Sequence, residues 1–372
     1  MIEPIVSTIV TTYNRAPFLA AAIESLSAQT LSEQEIIVVD DGSTDQTPEI
    51  LAAIRDPRLR IIRHATNRGI PVARNTGLSA ARGRYIAWLD SDDVARPTRL
   101  QKQVSYLEAH PAVSMVGACA GKINGNGQRR YGARVPPLRA DDVDAFLLFR
   151  SAFQQSSVMG RAHVLKEFSY DEAFPVCEDV DVFIRLTANH RIENIASVLI
   201  DRRLHPEQAV NRRSDQIRER QGVLARSMLL RLGIEADDIE LALHVRLGNP
   251  RREPFDGPSL LRAEEWLFRL RAENLATRVY DTRSLAMASA IVWVRACRSA
   301  LRGTDHGFVI ERLLTSQLTR GLLNSHARSW IVQAGGLTAG FSWMAFLRNA
   351  PPPFEGSAQM QQVGCSTTQE IS

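Results

Sequence analysis

The sequence predicts an α/β fold: a mainly parallel sheet flanked by helices, followed by a mostly α-helical C-terminal region. Strand and helix signals alternate from Ile5 to Gly117, and the strand bodies are apolar, as in strands covered on both faces. Beyond about residue 216 the signals are almost all helical. Polar and acidic residues gather directly after three of the strands, where open α/β sheets bind their ligands.

The elements follow in order. Ile5 to Thr11 is a β-branched strand, and Leu19, Ile23 and Leu26 recur at helical spacing behind it. Glu35 to Val39 is a second strand. Thr47 followed by Pro48 reads as a helix start, with the threonine as N-cap. Leu59 to Arg63 is a third strand, Val72 to Ala81 a helix, and Tyr85 to Leu89 a fourth strand. Pro97 opens a helix with Leu100, Val104 and Leu107 on one face, and Val113 to Gly117 returns to strand. The expected division is a sheet domain over residues 1–215, a helical region over 216–350, and a flexible tail over 351–372, which starts at Pro351-Pro352-Pro353 and lacks periodicity.

Composition narrows the function. The chain has 372 residues, 44% of them hydrophobic, enough for a sizeable core. Net charge is +4, and only three of the 45 basic residues are lysines (Lys102, Lys122, Lys166). An arginine bias spread along the whole chain lacks the clustered stripe of a nucleic-acid binder, so no nucleic acid is expected. Four scattered cysteines without a CxxC pair argue against zinc and against a disulfide framework. The N-terminus shows no signal-peptide pattern, so a cytoplasmic location is expected, with contact at the inner face of the membrane left open. The apolar stretch from Trp330 to Leu347 is marginal in length for a span and reads better as a buried or interfacial helix.

Three polar clusters occupy the predicted strand ends. They are Thr12-Tyr13-Asn14-Arg15, Asp40-Asp41-Gly42-Ser43 and Asp90-Ser91-Asp92-Asp93. Crowded carboxylates repel unless something positive sits between them. Hard divalent cations want carboxylate oxygens and keep positions open for phosphate and water. The chain has neither G-x-G-x-x-G nor a P-loop, so a metal is the natural partner for a diphosphate. Taken alone, Asp90-x-Asp92 is also what a capped turn looks like.

The segments VSTIVTTYNR (Val6 to Arg15), VVDDGSTD (Val38 to Asp45), NRGIPVARNTG (Asn67 to Gly77), YIAWLDSDD (Tyr85 to Asp93) and CEDVDVFIRL (Cys177 to Leu186) together resemble glycosyltransferase family 2. The resemblance covers roughly residues 4 to 210 in the family's order and spacing. It implies the GT-A fold and an inverting enzyme that moves one sugar from a nucleotide-diphosphate sugar, with a UDP-sugar favoured. The acceptor would be the hydroxyl of a glycan, a lipid-linked glycan or another glycoconjugate, as in cell-envelope polysaccharide synthesis. The implied cofactor is a divalent metal, Mn2+ or Mg2+.

Site residues carry over by position. Asp41 matches the carboxylate that accepts hydrogen bonds from the base, with Asp40 orienting the loop. Thr12, Tyr13 and Asn14 fall on the nucleotide loop, Tyr13 either against the base or in ordinary packing. Arg74 and Asn75 match a pair near the sugar or phosphates, although Arg74 would also serve as a structural partner for an acidic loop. Asp92 matches the metal-binding carboxylate, Asp90 and Ser91 lie beside it, and His205 resembles a histidine that some enzymes of this fold use as a further metal ligand. Asp179 is the expected general base. Glu178-Asp179 would also make a favourable acidic pair at a helix start. Gln155-Ser156-Ser157 receives no role. The Q-x-x-R-W motif of the family's processive synthases is absent, which favours single-sugar transfer. The role of the helical region stays open between acceptor selection, self-association and membrane contact. The rival outside catalysis is a nucleotide- or carbohydrate-binding protein on the same fold.

Overall fold

The computed structural model describes residues 3–208, 213–250, 253–303 and 305–323. Nine strands form one sheet: β1 Val6–Thr12, β2 Gln34–Asp40, β3 Leu59–Arg63, β4 Tyr85–Trp88, β5 Val94–Ala95, β6 Val113–Asn124, β7 Arg129–Arg134, β8 Met159–Arg161 and β9 Arg191–Leu204. The helices of the sheet region are α1 Ala16–Ser27, α2 Thr47–Ala53, α3 Ile70–Ala80, α4 Arg99–Ala109, α5 Ala140–Leu147, α6 Ala162–Leu165 and α7 Glu178–Thr187. Then come α8 Ser214–Arg231, α9 Asp238–Gly248, α10 Gly257–Thr277, α11 Thr282–Ala300 and α12 His306–Thr315.

The expected α/β architecture is present, and its sheet is more mixed than the sequence implied. The order is β3-β2-β1-β4-β8-β6-β9-β5, with β7 beside β6. The first four strands run parallel. Beyond them β8 is antiparallel to both neighbours, and β6 is parallel to β9. The parallel half was legible because each crossover contains a periodic helix. Strands β6 to β9 are joined by a hairpin and by longer segments in which helices α5, α6 and α7 alternate with irregular stretches, so strand and helix do not follow one another at a regular period.

Residue alternation decides the packing. Val10, Ile36 and Val38 point to one face and bury Leu19, Ile23 and Leu26 of α1. Ile9, Ile37, Val39 and Trp88 point to the other face, and the cluster they begin continues without a break to Leu267, Trp293 and Leu313 of the C-terminal helices. Trp293 is fully buried in this shared core. Polar links cross the same junction: Ser284 Oγ donates to Asp142 at 2.7 Å, and His244 Nε2 bonds the Leu148 carbonyl at 2.8 Å. Thr47 is the first residue of α2, not its cap. Its N–H is bonded by Asp45, and its hydroxyl accepts from Arg15 N. No described helix is long and apolar enough to cross a membrane. The Trp330–Leu347 stretch and the 351–372 tail lie outside the described residues.

Candidate active site

Because β2, β1 and β4 are adjacent and parallel, their carboxyl ends lie side by side on one edge. The loops that follow them meet in a cleft of about 680 Å³. Thr12, Tyr13, Asn14, Asp41, Arg74, Asp90, Ser91, Asp92 and Asp179 all line it. Of the residues singled out from sequence, Asp40, Asn75 and His205 lie outside that lining.

The nucleotide side is organised by backbone-directed side chains. Asn14 adopts φ +51°, a left-handed conformation that asparagine tolerates. Its carboxamide oxygen accepts from Thr44 N at 2.9 Å and so ties the β1 and β2 loops together. Gly42 has φ +76°, and a Cβ there would sit 2.6 Å from the Thr66 carbonyl carbon. Only glycine lets the loop before α3 press this close. Asp40 is fully buried under the turn, where its Oδ1 accepts from Ser43 N at 3.0 Å. Asp41 faces the cleft. It accepts from His64 Nδ1 at 2.6 Å, Arg68 N at 3.0 Å and Gly69 N at 2.8 Å. Oδ1 takes two of these and Oδ2 one, so Oδ2 keeps a lone pair for an outside donor. Tyr13 is 42% exposed at the rim, its ring open to a planar group.

The acidic loop after β4 is held in a fixed arrangement. Asp93 is buried, with Oδ1 accepting from Arg203 N at 2.8 Å and Oδ2 2.5 Å from Ser156 Oγ. Ser156 Oγ also lies 3.0 Å from Asp90 Oδ2, and Asp90 N donates to it. Burial, together with Asp92 and Asp90, pushes the Asp93 carboxyl well above the usual carboxylate range. Asp90 is likewise raised, first by burial and then by Asp92, with Arg74 opposing. Asp92 Oδ2 lies 2.9 Å from His205 Nε2, although the two residues are far apart in sequence.

The base side starts at Cys177, which has φ +63° and precedes α7. Glu178 and Asp179 follow that turn and both border the cleft, but they differ in burial and in partners. Glu178 is buried, 2.8 Å from Arg74 Nη1. Arg74 is buried too. It lies 3.5 Å from Asp90 and sits over the Tyr170 ring at 5.3 Å, so one guanidinium bridges both acidic loops. Asp179 is half-buried and lines the cleft, its Oδ1 accepting only from Val180 N among the described residues. Burial pushes the Cys177 thiol up to about 12, which leaves it neutral and unfit as a nucleophile.

Burial pushes the Glu178 carboxyl from 4.5 up to about 7, with Arg74 opposing and Asp179 adding to the rise. A carboxyl raised on folding stabilises fully below 4.5 and loses that contribution as pH rises through about 7. Stability should therefore gain from this group as pH falls from 8 to 6. The expected result in urea unfolding is a smaller pH 6 to pH 8 difference for Glu178→Gln than for the parent. Equal differences would show that Glu178 does not titrate there.

Several contributors were not read from the sequence. Asp93 belongs to the noted acidic run, but D-x-D spacing passes over it. Ser156 fell in a triplet given no role, yet its hydroxyl joins Asp90 and Asp93. Arg203 and Tyr170 carried no local signal, because their partners come from other elements. Asn75 turns away from the cleft and pairs with the Tyr170 backbone at 2.8 Å.

Comparisons with known proteins bear on the family and the fold. The family model described as Glycosyl transferase family 2 matches residues 7–166. A succinoglycan biosynthesis protein, ExoO, of Rhizobium meliloti is 38% identical over 186 residues, 47% of this chain and 53% of that protein. The chain thus spans about half the length of that relative. Uncharacterized glycosyltransferases of Haemophilus influenzae and Methanocaldococcus jannaschii are 31% and 30% identical, each over 55% of this chain and over 67% and 72% of their own lengths. Among solved structures, S. aureus TarS 1-349 in complex with UDP-GlcNAc matches with a TM-score of 0.51 and 19% identity, over 84% of this chain and 92% of that one. At that identity the likeness bears on the fold alone.

Proposed function

This chain belongs to glycosyl transferase family 2, and from that premise we propose that it moves a single sugar, with inversion, from a nucleotide-diphosphate sugar to an acceptor hydroxyl. A UDP-sugar is the favoured donor, and polysaccharide or another glycoconjugate at the cytoplasmic side of the cell envelope is the favoured destination. The observation that carries the reading is one cleft lined by Asp41, by Asp92 with His205 behind it, and by Asp179, with Arg74 bridging the acidic loops.

Asp41 and Tyr13 hold the base, and Thr12, Asn14 and Ser91 shape the loops around the ribose and phosphates. Asp179 takes the proton from the acceptor hydroxyl. The acceptor oxygen bonds to the anomeric carbon as the bond from that carbon to the diphosphate oxygen breaks, and the diphosphate leaves with the electron pair. Attack from the face opposite the leaving group inverts the anomeric centre.

The residues present fit a divalent cation. Two ligands bound in adjacent positions at about 2.1 Å from one ion stand roughly 3 Å apart, and Asp92 Oδ2 and His205 Nε2 are 2.9 Å apart. The described residues hold no group of three or more metal ligands. The remaining positions would fall to phosphate oxygens and water. Such an ion supplies charge neutralisation for the departing diphosphate.

A thermal-shift panel of nucleotide diphosphates and sugar nucleotides with manganese tests the reading. A ligand at a hundred times its Kd adds roughly 2.7 kcal/mol. One nucleotide diphosphate should stabilise the protein clearly above the others, and its sugar nucleotide should turn over. Stabilisation without turnover for any donor and acceptor would favour a binding protein on this fold. No stabilisation by any nucleotide would overturn both.

We assign the proposed catalytic and binding residues to 1–215 and a supporting role to the helical region that follows, whose Ile217 also lines the cleft. Self-association or contact with a membrane surface would use the groove between α8 and α9, where Val223, Leu230 and Ile239 are exposed.

A further inference from the structure

The sheet register sorts the basic residues beside the cleft onto two faces. Arg129 and Arg130 of β7 pair with Ile123 and Lys122 of β6, and Lys122 pairs with Arg202 of β9. Side chains alternate along a strand, so Arg130, Lys122 and Arg202 share one face and Arg129 shares the other with Asp201. The second face is charge-compensated: Asp201 pairs with Arg96 at 2.8 Å and lies 3.7 Å from Arg129 Nε. On the first face no ion pair joins Lys122, Arg130 or Arg202 to a described carboxylate.

Arg134 ends β7 beside that face, and Arg295 lies close enough for its charge to act on Arg134. Arg134 donates to the Ser151 carbonyl at 2.7 Å and to Gln154 Oε1 at 3.3 Å, both neutral acceptors. It is half-buried and feels the positive charges of Arg202 and Arg295, with the Asp179 carboxylate opposing them. Arg295 comes from α11, is also half-buried, and has no hydrogen bond or ion pair to a described residue. Burial pulls both Arg134 and Arg295 down to about 10. Gathering like charges out of water costs folding free energy unless an anion offsets it.

The place of this cluster is informative. Arg202 and Gln154 line the cleft together with Asp179; Arg134 stands behind Gln154, 3.3 Å from its Oε1, and Arg295 lies outside that lining. If Asp179 is the base, the acceptor hydroxyl must lie against this wall. We propose that the acceptor carries an oxyanion, a phosphate or a carboxylate, which Arg202, Arg134 and Arg295 grip while its hydroxyl meets Asp179. The guanidinium fork matches the two oxygens of either group. The inference rests on the proposed function, and it gives the helical region a part in acceptor choice through Arg295.

The experiment fills the donor site with UDP and manganese and titrates inorganic phosphate and glucuronate at constant ionic strength. The same titrations are run without nucleotide. Saturable binding of at least one anion is expected. Its Kd should rise about 10- to 100-fold in Arg202→Gln and Arg295→Gln, as for a lost charged hydrogen bond. Arg129→Gln, on the compensated face, should leave it unchanged. The thermal midpoint of free Arg295→Gln should equal or exceed that of the parent, which also shows that the variant folds. Transfer to a neutral glycoside, its phosphate ester and its uronate then identifies the source of the charge: the better charged acceptor names it. Unchanged anion binding in both variants, or a neutral acceptor used as well as both charged ones, overturns the proposal. If nucleotide binding fails while Arg202-dependent anion binding persists, the proposed function falls and the anion site stands.

Discussion

Asp179→Asn should lower turnover by about 10²- to 10⁴-fold, the usual worth of a positioned general base, while donor affinity barely changes. The argument depends on how the Cys177 turn divides its two acidic successors. Glu178 also borders the cleft, but it is buried and its carboxylate is committed to Arg74 at 2.8 Å. Asp179 lines the cleft and spends only one oxygen on a described partner, the Val180 amide. Asparagine keeps the size of the side chain and caps helices about as well as aspartate. A purely structural Asp179 would therefore tolerate the change almost silently. Glu178→Gln should behave differently. It weakens the partner of Arg74 and so should disturb donor binding or stability more than the chemical step. Single-turnover transfer and donor affinity measured on both variants separate the roles. Near-normal transfer by Asp179→Asn would remove it from the mechanism.

Much of this division could be read from residues alone, for a physical reason. The parallel half of the sheet has a strict period of apolar strand and amphipathic helix, so its strand ends, and the polar loops on them, could be placed before any coordinates. Thr12, Asp41, Asp90 and Asp92 are legible because they follow those strands directly. The α7 start was legible as well, from Val182, Phe183 and Leu186 at helical spacing. What stayed hidden depends on contacts between distant segments. Ser156 reaches Asp93 only because β8 pairs with β4. His205 was reached through the family resemblance alone, and its contact with Asp92 exists because β9 pairs with β5. The union of the C-terminal helices with the sheet core was equally invisible, since an amphipathic helix does not state which apolar face it will cover. Trp293 shows this: an aromatic among arginines, it lies wholly inside the shared core.

The metal requirement is the second large effect expected. Excess EDTA should abolish transfer, and Asp92→Ala should remove the metal-dependent part of nucleotide-diphosphate binding measured by calorimetry. Asp90, Asp92 and Asp93 are crowded at one strand end, and burial with mutual repulsion raises Asp90 and Asp93 above the ordinary carboxylate range. Such a cluster binds protons when no cation is present and gives them up when one arrives. Metal-dependent nucleotide affinity should accordingly strengthen as pH rises and these carboxyls deprotonate. The reverse dependence would mean that the acidic loop is a structural turn. His205→Ala tests the second donor. If His205 Nε2 is a ligand, or orients Asp92 across their 2.9 Å contact, metal affinity should fall at least about 10- to 100-fold, the loss typical of even an outer partner. Mutating His205 without effect would leave Asp92 to hold the ion with phosphate alone. Undiminished transfer in excess EDTA would sink the metal altogether, and the arginines that line the cleft, Arg74 within 3.5 Å of Asp90 among them, would be left to meet the diphosphate.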